Sequence, residues 1–127
     1  MIVGIGSDIA RVERFSRAVL RHGPRFAARI LGSDEQEVWR QKGEPVAYLA
    51  KRFAAKEAFV KALGLGLRSG MQWTEIQVVN DALGKPSLQL SGEALRLFQA
   101  SGATAVHVTL SDEADYALAF VVLERQC

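Results

Sequence analysis

The stretch VAYLAKRFAAKEAFVKALG, residues 46–64, does most to limit what this chain can become. Val46, Leu49, Ala50, Phe53 and Val60 fall on one helical stripe, the alanines favour helical backbone, and Gly64 stands where a left-handed C-terminal cap belongs. After it the hydrophobic period changes. EIQVV and SLQL read as strands around the turn NDALGKP, SGEALRLFQASG as a capped helix ending in Gly102, and TAVHVTL and DYALAFVVLE as two further strands. Ahead of it, Ile2 to Ser7 reads as a short buried strand closing on Asp8 at a strand-to-helix junction. A helix from Arg11 to His22 is stopped by Gly23 and Pro24, and a second runs from Arg25 to Leu31. A third, opened by a Ser33/Gln36 capping box, stops before Gly43 and Pro45. No repeat, linker or low-complexity tract interrupts the order. At 127 residues and 49% hydrophobic composition the expectation is one α+β domain, 1–127, with an N-terminal strand and helices followed by a mainly antiparallel sheet.

Several classes of protein are set aside at this stage. The longest apolar runs, such as YALAFVVL, are far shorter than the ~20 residues of a membrane span, and MIVGIG has neither a basic leader nor a cleavage site, so the expected location is cytoplasmic. The single cysteine, Cys127, is the last residue and reads as a bystander. Charge is unevenly spread: residues 1–68 carry thirteen Lys/Arg against seven Asp/Glu, and residues 69–127 carry three against seven. An acidic or phosphorylated partner suits the first part, although a solvated face gives the same count.

On a helical wheel of about 100° per residue, Glu57 lies in the stripe of Val46, Ala50 and Phe53, with Lys61 one turn on. A carboxylate turned toward a core needs a partner: Lys61, a metal or a water-filled cleft. Asp8 is a second acid able to come beside it. Two carboxylates repel unless a cation or a shared proton separates them, and Mg2+ is held by one or two carboxylates together with waters and substrate phosphates. The bland alternative is an ordinary i, i+4 Glu57–Lys61 pair. Arg11, Arg14, Arg17 and Arg21 fall within about 120° of one another, opposite Val12, Phe15 and Val19. Phe15 is on the apolar side, so the basic face lacks the aromatic platforms of a single-strand RNA reader, and an acidic protein is the preferred partner over nucleic acid. His107 and Thr109 share one face of their strand, displayed away from Val106, Val108 and Leu110.

GIGSDIARVERF followed by KRFAAKEAFVKALG, and then NDALGKP and HVTLSDEADYALAFVVLE, resembles the holo-acyl carrier protein synthases, the short branch of the 4'-phosphopantetheinyl transferases. The likeness runs through nearly the whole chain. It implies the trimer-forming fold of that branch, with sites shared between adjacent subunits. It also implies transfer of the 4'-phosphopantetheine arm of coenzyme A to a serine of apo acyl carrier protein, releasing adenosine 3',5'-bisphosphate, in fatty acid biosynthesis. By the same resemblance Asp8 and Glu57 bind Mg2+, Glu57 or water takes the serine proton, and Lys61 serves the leaving phosphate as proton donor or charge stabiliser. Arg14 and Arg21 match carrier-docking arginines, with Phe26 and Phe53 lining the apolar part of that contact. Arg52 and His107 match positions near the 3'-phosphate and adenine of coenzyme A, and Gly64, Gly66, Lys85 and Pro86 match its nucleotide-side walls. Two departures stand out. Longer relatives carry a further acid where this chain has Ala10, and some relatives have a histidine where it has Asp112. Against this stand a non-catalytic module binding an acidic protein through its arginine face, and a nucleic-acid binder using the basic half.

Overall fold

Ten residues, Ile2–Arg11, form the first strand (β1), and its two faces differ. Gly4, Gly6, Asp8 and Ala10 look inward, while Ile5 and Ile9 are exposed on the other side. The computed structural model, which describes residues 1–66 and 70–126, therefore corrects the expectation of a buried strand ending at Ser7. β1 continues past Asp8, pairing antiparallel with the last strand through Asp8↔Ala119 and Arg11↔Tyr116. Asp8 is a mid-strand residue and not a helix cap; the helix Val12–His22 (α1) starts from Arg11 without a side-chain cap. The reading of Cys127 lies outside the described residues, as does the middle of the ALGLGLRSG loop.

Two short helices, Pro24–Ile30 (α2) and Ser33–Gln41 (α3), lead to the long helix Val46–Leu63 (α4), which ends on Gly64 in the left-handed region at φ 77° as its position requires. Beyond it come a 3-10 turn, Trp73–Glu75, the strands Ile76–Asn80 (β2) and Pro86–Leu90 (β3), the helix Gly92–Ala100 (α5), and the strands Ala105–Glu113 (β4) and Tyr116–Glu124 (β5). The class is α+β with antiparallel pairing throughout, divided into a three-stranded sheet, β1-β5-β4, and the separate hairpin β2-β3.

α4 runs across the inner face of the larger sheet, against Ala117, Ala119, Val121 and Leu123 of β5, and is covered on its other side by α1, α2 and β2. The expected single apolar stripe is thus wider in fact: Leu49, Ala50, Ala54, Ala55, Ala58 and Phe59 are all inaccessible to solvent. The alanines let the helix lie close to β1. A Cβ at Gly6 would sit 2.1 Å from the Ala58 carbonyl oxygen, and one at Gly4 would sit 2.2 Å from that of Ala62.

The expected Ser33/Gln36 capping box does not form, because Ser33 is already helical and Gly32 holds the N-cap. Two distant or displaced side chains cap α3 instead: Gln77 Oε1 on β2 accepts from the amides of Asp34 (2.9 Å) and Glu35 (3.3 Å), and Glu35 accepts from that of Gly32 (3.0 Å). Glu75, expected at the head of a strand, caps α5 from the 3-10 turn by accepting from the amides of Glu93 and Ala94. Among the described residues no helix is long and apolar enough to cross a membrane.

Candidate active site

Because β1 and α4 meet at glycine and alanine, the next inward residue of β1, Asp8, comes to lie beside the C-terminal half of α4. There Lys61 Nζ donates to Asp8 Oδ1 at 3.0 Å and to the Ser7 carbonyl at 3.1 Å. The Asp8 side chain is mostly enclosed, at 15% exposure, while that of Lys61 keeps 52%. Glu57 is half-buried on the same seam, and its carboxyl is held above the usual glutamate range, first by burial and then by the charge of Asp8, with Lys61 and Arg14 opposing. The i, i+4 ion pair between Glu57 and Lys61 is not made; the lysine turns to Asp8, and among the described residues no cation is bonded to Glu57.

Two acids close enough to repel, one enclosed and one half-buried without a bonded cation among the described residues, suit a divalent cation shared with anionic substrate oxygens. Among the described residues no three potential ligand side chains cluster, so the pair does not make the closed all-protein cage of a structural metal. A hard cation that keeps waters and binds phosphate is the one these residues fit.

Beside this seam a cavity of about 670 Å3 opens between α1, α2, α4 and the 3-10 turn. Phe15, Phe26, Phe53 and Trp73 form its apolar wall, with ring centroids 5.1–5.9 Å apart along the chain of neighbours, and Arg14 stands at its rim. A second hollow carries Arg21, Arg25 and Arg29 around Phe26. The structure therefore brings Arg14, Arg21, Phe26 and Phe53 to one region. It removes one member of the expected arginine stripe, Arg11, which belongs to β1 and bonds the Tyr116 hydroxyl at 3.0 Å; Arg17 stays on α1, exposed and paired with Glu13 at 2.6 Å.

The residues expected to meet coenzyme A are not gathered within one chain. Gly64 and Gly66 continue α4 beyond Lys61, at the metal end. Arg52 lies in a different cavity of about 820 Å3, lined also by Lys42, Lys51, Tyr48 and Asn80. Its guanidinium stacks on Tyr48 at 4.0 Å and Nη2 donates to Asn80 Oδ1 at 2.5 Å, yet its buried Nε has no partner among the described residues. Lys85 and Pro86 are in the hairpin that closes this cavity, the turn being pinned by Asp81, whose Oδ1 accepts from the amides of Leu83 and Lys85 at 2.9 Å each. His107 is displayed on the outer face of the sheet, as its alternation implied, and sits 2.9 Å from Glu124; that face is opposite the one carrying Asp8. Asp112 is 3.6 Å from Lys51, which gives the acid at that position a partner on α4.

One polar pair escapes a sequence reading altogether. Lys56 is fully buried and Glu35 nearly so, and they bond each other at 2.7 Å. Burial pushes the Lys56 ammonium down from the usual lysine range while Glu35 pulls it back. In KEA the wheel singled out Glu57, but on a helix enclosed on most sides it is the neighbouring lysine that faces the interior.

The family model described as the 4'-phosphopantetheinyl transferase superfamily matches residues 4–121. The chain is 53% identical over 124 residues, 98% of each sequence, to a holo-[acyl-carrier-protein] synthase from Photorhabdus laumondii. It is similar to the crystal structure of the Neisseria meningitidis holo-[acyl-carrier-protein] synthase, with a TM-score of 0.91, 47% identity, and coverage of 98% of this chain and 100% of that one. A Helicobacter pylori holo-[acyl-carrier-protein] synthase in complex with coenzyme A gives a TM-score of 0.82 at 28% identity, covering 94% of this chain and 99% of that one.

Proposed function

The chain belongs to the 4'-phosphopantetheinyl transferase superfamily, among the holo-[acyl-carrier-protein] synthases, and we propose that all of it, 1–127, forms one transferase domain. Its reaction moves phosphopantetheine from coenzyme A to a serine of apo acyl carrier protein. The finer reading is that transfer depends on Mg2+, releases adenosine 3',5'-bisphosphate, and takes place in the cytoplasm for fatty acid biosynthesis. The observation that carries it is the seam of β1 and α4, where Lys61 bridges to Asp8 beside a Glu57 whose carboxyl is raised by burial and by that same aspartate.

Asp8 and Glu57 would hold the Mg2+, which when bound neutralises charge on the diphosphate of coenzyme A. Lys61, half exposed and tethered to Asp8 by one hydrogen bond, is placed to swing toward the oxygen that leaves with the nucleotide and to supply charge or a proton there. The attacking serine hydroxyl loses its proton to water or to Glu57. Arg14 and Arg21 hold the acidic carrier, and Phe26 and Phe53 receive an apolar side chain of it, which brings the serine to the seam.

Assembly is part of this reading. Ile5, Ile9, Leu118 and Phe120 are 61%, 62%, 45% and 42% exposed on the outer sheet face, an apolar surface suited to burial between copies. A homotrimer joined through it would bring His107 of one subunit to the coenzyme of another. Phe120→Glu with Leu118→Glu is expected to shift the mass measured by sedimentation from trimer to monomer; an unchanged mass would place the interface elsewhere.

The decisive experiment is intact-mass spectrometry of an apo acyl carrier protein incubated with this protein, coenzyme A and Mg2+. A gain of one phosphopantetheine, lost with EDTA and with Asp8→Ala or Glu57→Gln, is expected. A carrier that binds but gains no mass would leave a docking module and sink the transferase reading.

A further inference from the structure

We propose that the buried pair Glu35–Lys56 is a positioning device for the nucleotide end of coenzyme A, acting through Arg52; the proposal rests on the transferase reading above. The pair is unusually complete. Lys56 Nζ uses its three protons on Glu35 Oε1 at 2.7 Å, the Trp73 carbonyl at 3.0 Å and the Ile76 carbonyl. Glu35 Oε1 also accepts from the Gly32 amide at 3.0 Å, and its Oε2 accepts from the Val78 amide at 2.9 Å. Stability alone does not call for such an arrangement, because well-packed apolar side chains of similar volume commonly replace a buried ion pair at no loss. What apolar side chains cannot do is fix backbone groups in direction. Here three bonds fall on the segment entering and forming β2, and one on the start of α3.

Both side chains that hold Arg52 on its helix are tied to those two elements. Tyr48, on which the guanidinium stacks at 4.0 Å, donates its hydroxyl to the Glu35 carbonyl at 3.2 Å. Asn80, which accepts from Arg52 Nη2 at 2.5 Å, is the last residue of β2, two beyond the Val78 that Glu35 holds, and its own amide donates to the Gly84 carbonyl across the turn at 2.8 Å. Arg52 is thereby clamped from below by Tyr48 and from one side by Asn80, with its buried Nε unpartnered among the described residues. Asp8 and Glu57, in contrast, are set by the contact of β1 with α4, which uses neither Glu35 nor Lys56. Loosening the pair therefore disturbs recognition of the 3'-phosphate while leaving the metal acids in place; because Lys56 also bonds the Trp73 carbonyl, the wall of the carrier cavity is disturbed with it.

The test compares coenzyme A with 3'-dephospho-coenzyme A as donors for wild type, Glu35→Gln, Lys56→Met, the double variant and Arg52→Ala. The ratio of the two kcat/KM values measures use of the 3'-phosphate and is independent of how much protein is folded. It is expected to fall about tenfold in both single variants and in the double, toward the value for Arg52→Ala. The double variant, which leaves neither charge unpaired, is expected to melt above either single one while its ratio stays low. A ratio that remains at the wild-type value, with losses of activity following the melting temperature, would reduce the pair to a structural role and overturn the proposal. Wild-type protein that transfers from neither donor would remove the transferase reading itself, and with it this proposal. Equal use of both donors by wild type would leave that reading standing and remove Arg52 from the phosphate.

Discussion

Replacing Gly6 by alanine puts a methyl group where α4 already lies. Its carbon would fall 2.1 Å from the Ala58 carbonyl oxygen and 2.6 Å from the Ala62 amide nitrogen, both backbone atoms that no rotamer change can withdraw. Relief to the 3.4 Å of ordinary contact requires the helix and strand to part by about 1.3 Å. Overpacking of this kind costs about 1–3 kcal/mol, which for a chain of this size lowers the melting temperature by about 4–12 °C. The same displacement separates Asp8 from Lys61 and Glu57, and about 1 Å of misplacement at a reacting centre costs on the order of 100-fold in rate. Circular dichroism gives the melting temperature, and intact-mass kinetics on apo carrier give the transfer rate at saturating coenzyme A. Ser7→Ala, one residue on and facing outward, adds no atom toward α4 and is the control. A folded Gly6→Ala protein that melts with the wild type and transfers within about twofold of it would show that the strand–helix seating does not set the site.

The pH dependence of stability follows from Glu57. Its folded carboxyl titrates above the ordinary glutamate value, so between those two values the folded chain holds a proton that the unfolded chain has released, and stability falls as pH rises through that window. Glu57→Gln removes this loss: without metal the variant is expected to melt above wild type on the alkaline side of the window and level with it on the acid side, and added Mg2+ to raise wild type alone. Melting curves across pH, with EDTA and then with Mg2+, check both. Arg21→Glu is expected to raise the KM for carrier about tenfold and leave that for coenzyme A unchanged, since its hollow is lined by α1 and α2 and lies apart from Arg52; steady-state kinetics in each substrate decide it.

The alternation Gly4, Gly6, Asp8, Ala10 against Ile5, Ser7, Ile9 is a period of two, but an acid at an inward position and glycines with no side chain conceal which face is buried. The strand was therefore read as ending where its acid begins. α4 was legible from end to end because alanine-rich periodicity and a terminal glycine are local signals. Which of Lys56 and Glu57 faces the interior was not, since a helix covered by a sheet on one side and by α1, α2 and β2 on the other has no single apolar stripe to betray its orientation. The caps failed for the same reason of distance: Gln77 reaches α3 from 43 positions beyond Asp34, and no window around Ser33 contains it. Asp8, Glu57 and Lys61 were nonetheless singled out together, because burying two acids near one lysine is a chemical problem that the residue types pose before any fold is known.

The same helix bears on the proposed sharing of sites between subunits. Arg52 and Glu57 are five residues apart on α4, so they point about 140° away from each other around its axis, and His107 lies behind the sheet from Asp8. A coenzyme touching all of these within one chain would have to pass around the helix and through the sheet. In the proposed assembly one copy would contribute Asp8, Glu57 and Lys61 and the next His107. This predicts complementation. Asp8→Ala and His107→Ala chains, each expected to transfer poorly alone, are refolded together in equal amounts. If each site draws its acids from one subunit and its histidine from another, random mixing leaves about one quarter of sites with both groups intact. Transfer by the mixture would then rise to about a quarter of the wild-type rate, measured as holo carrier formed by intact mass. If all these groups act within one subunit, no mixed site is whole, and a mixture no faster than the mean of its two components would refute the shared site.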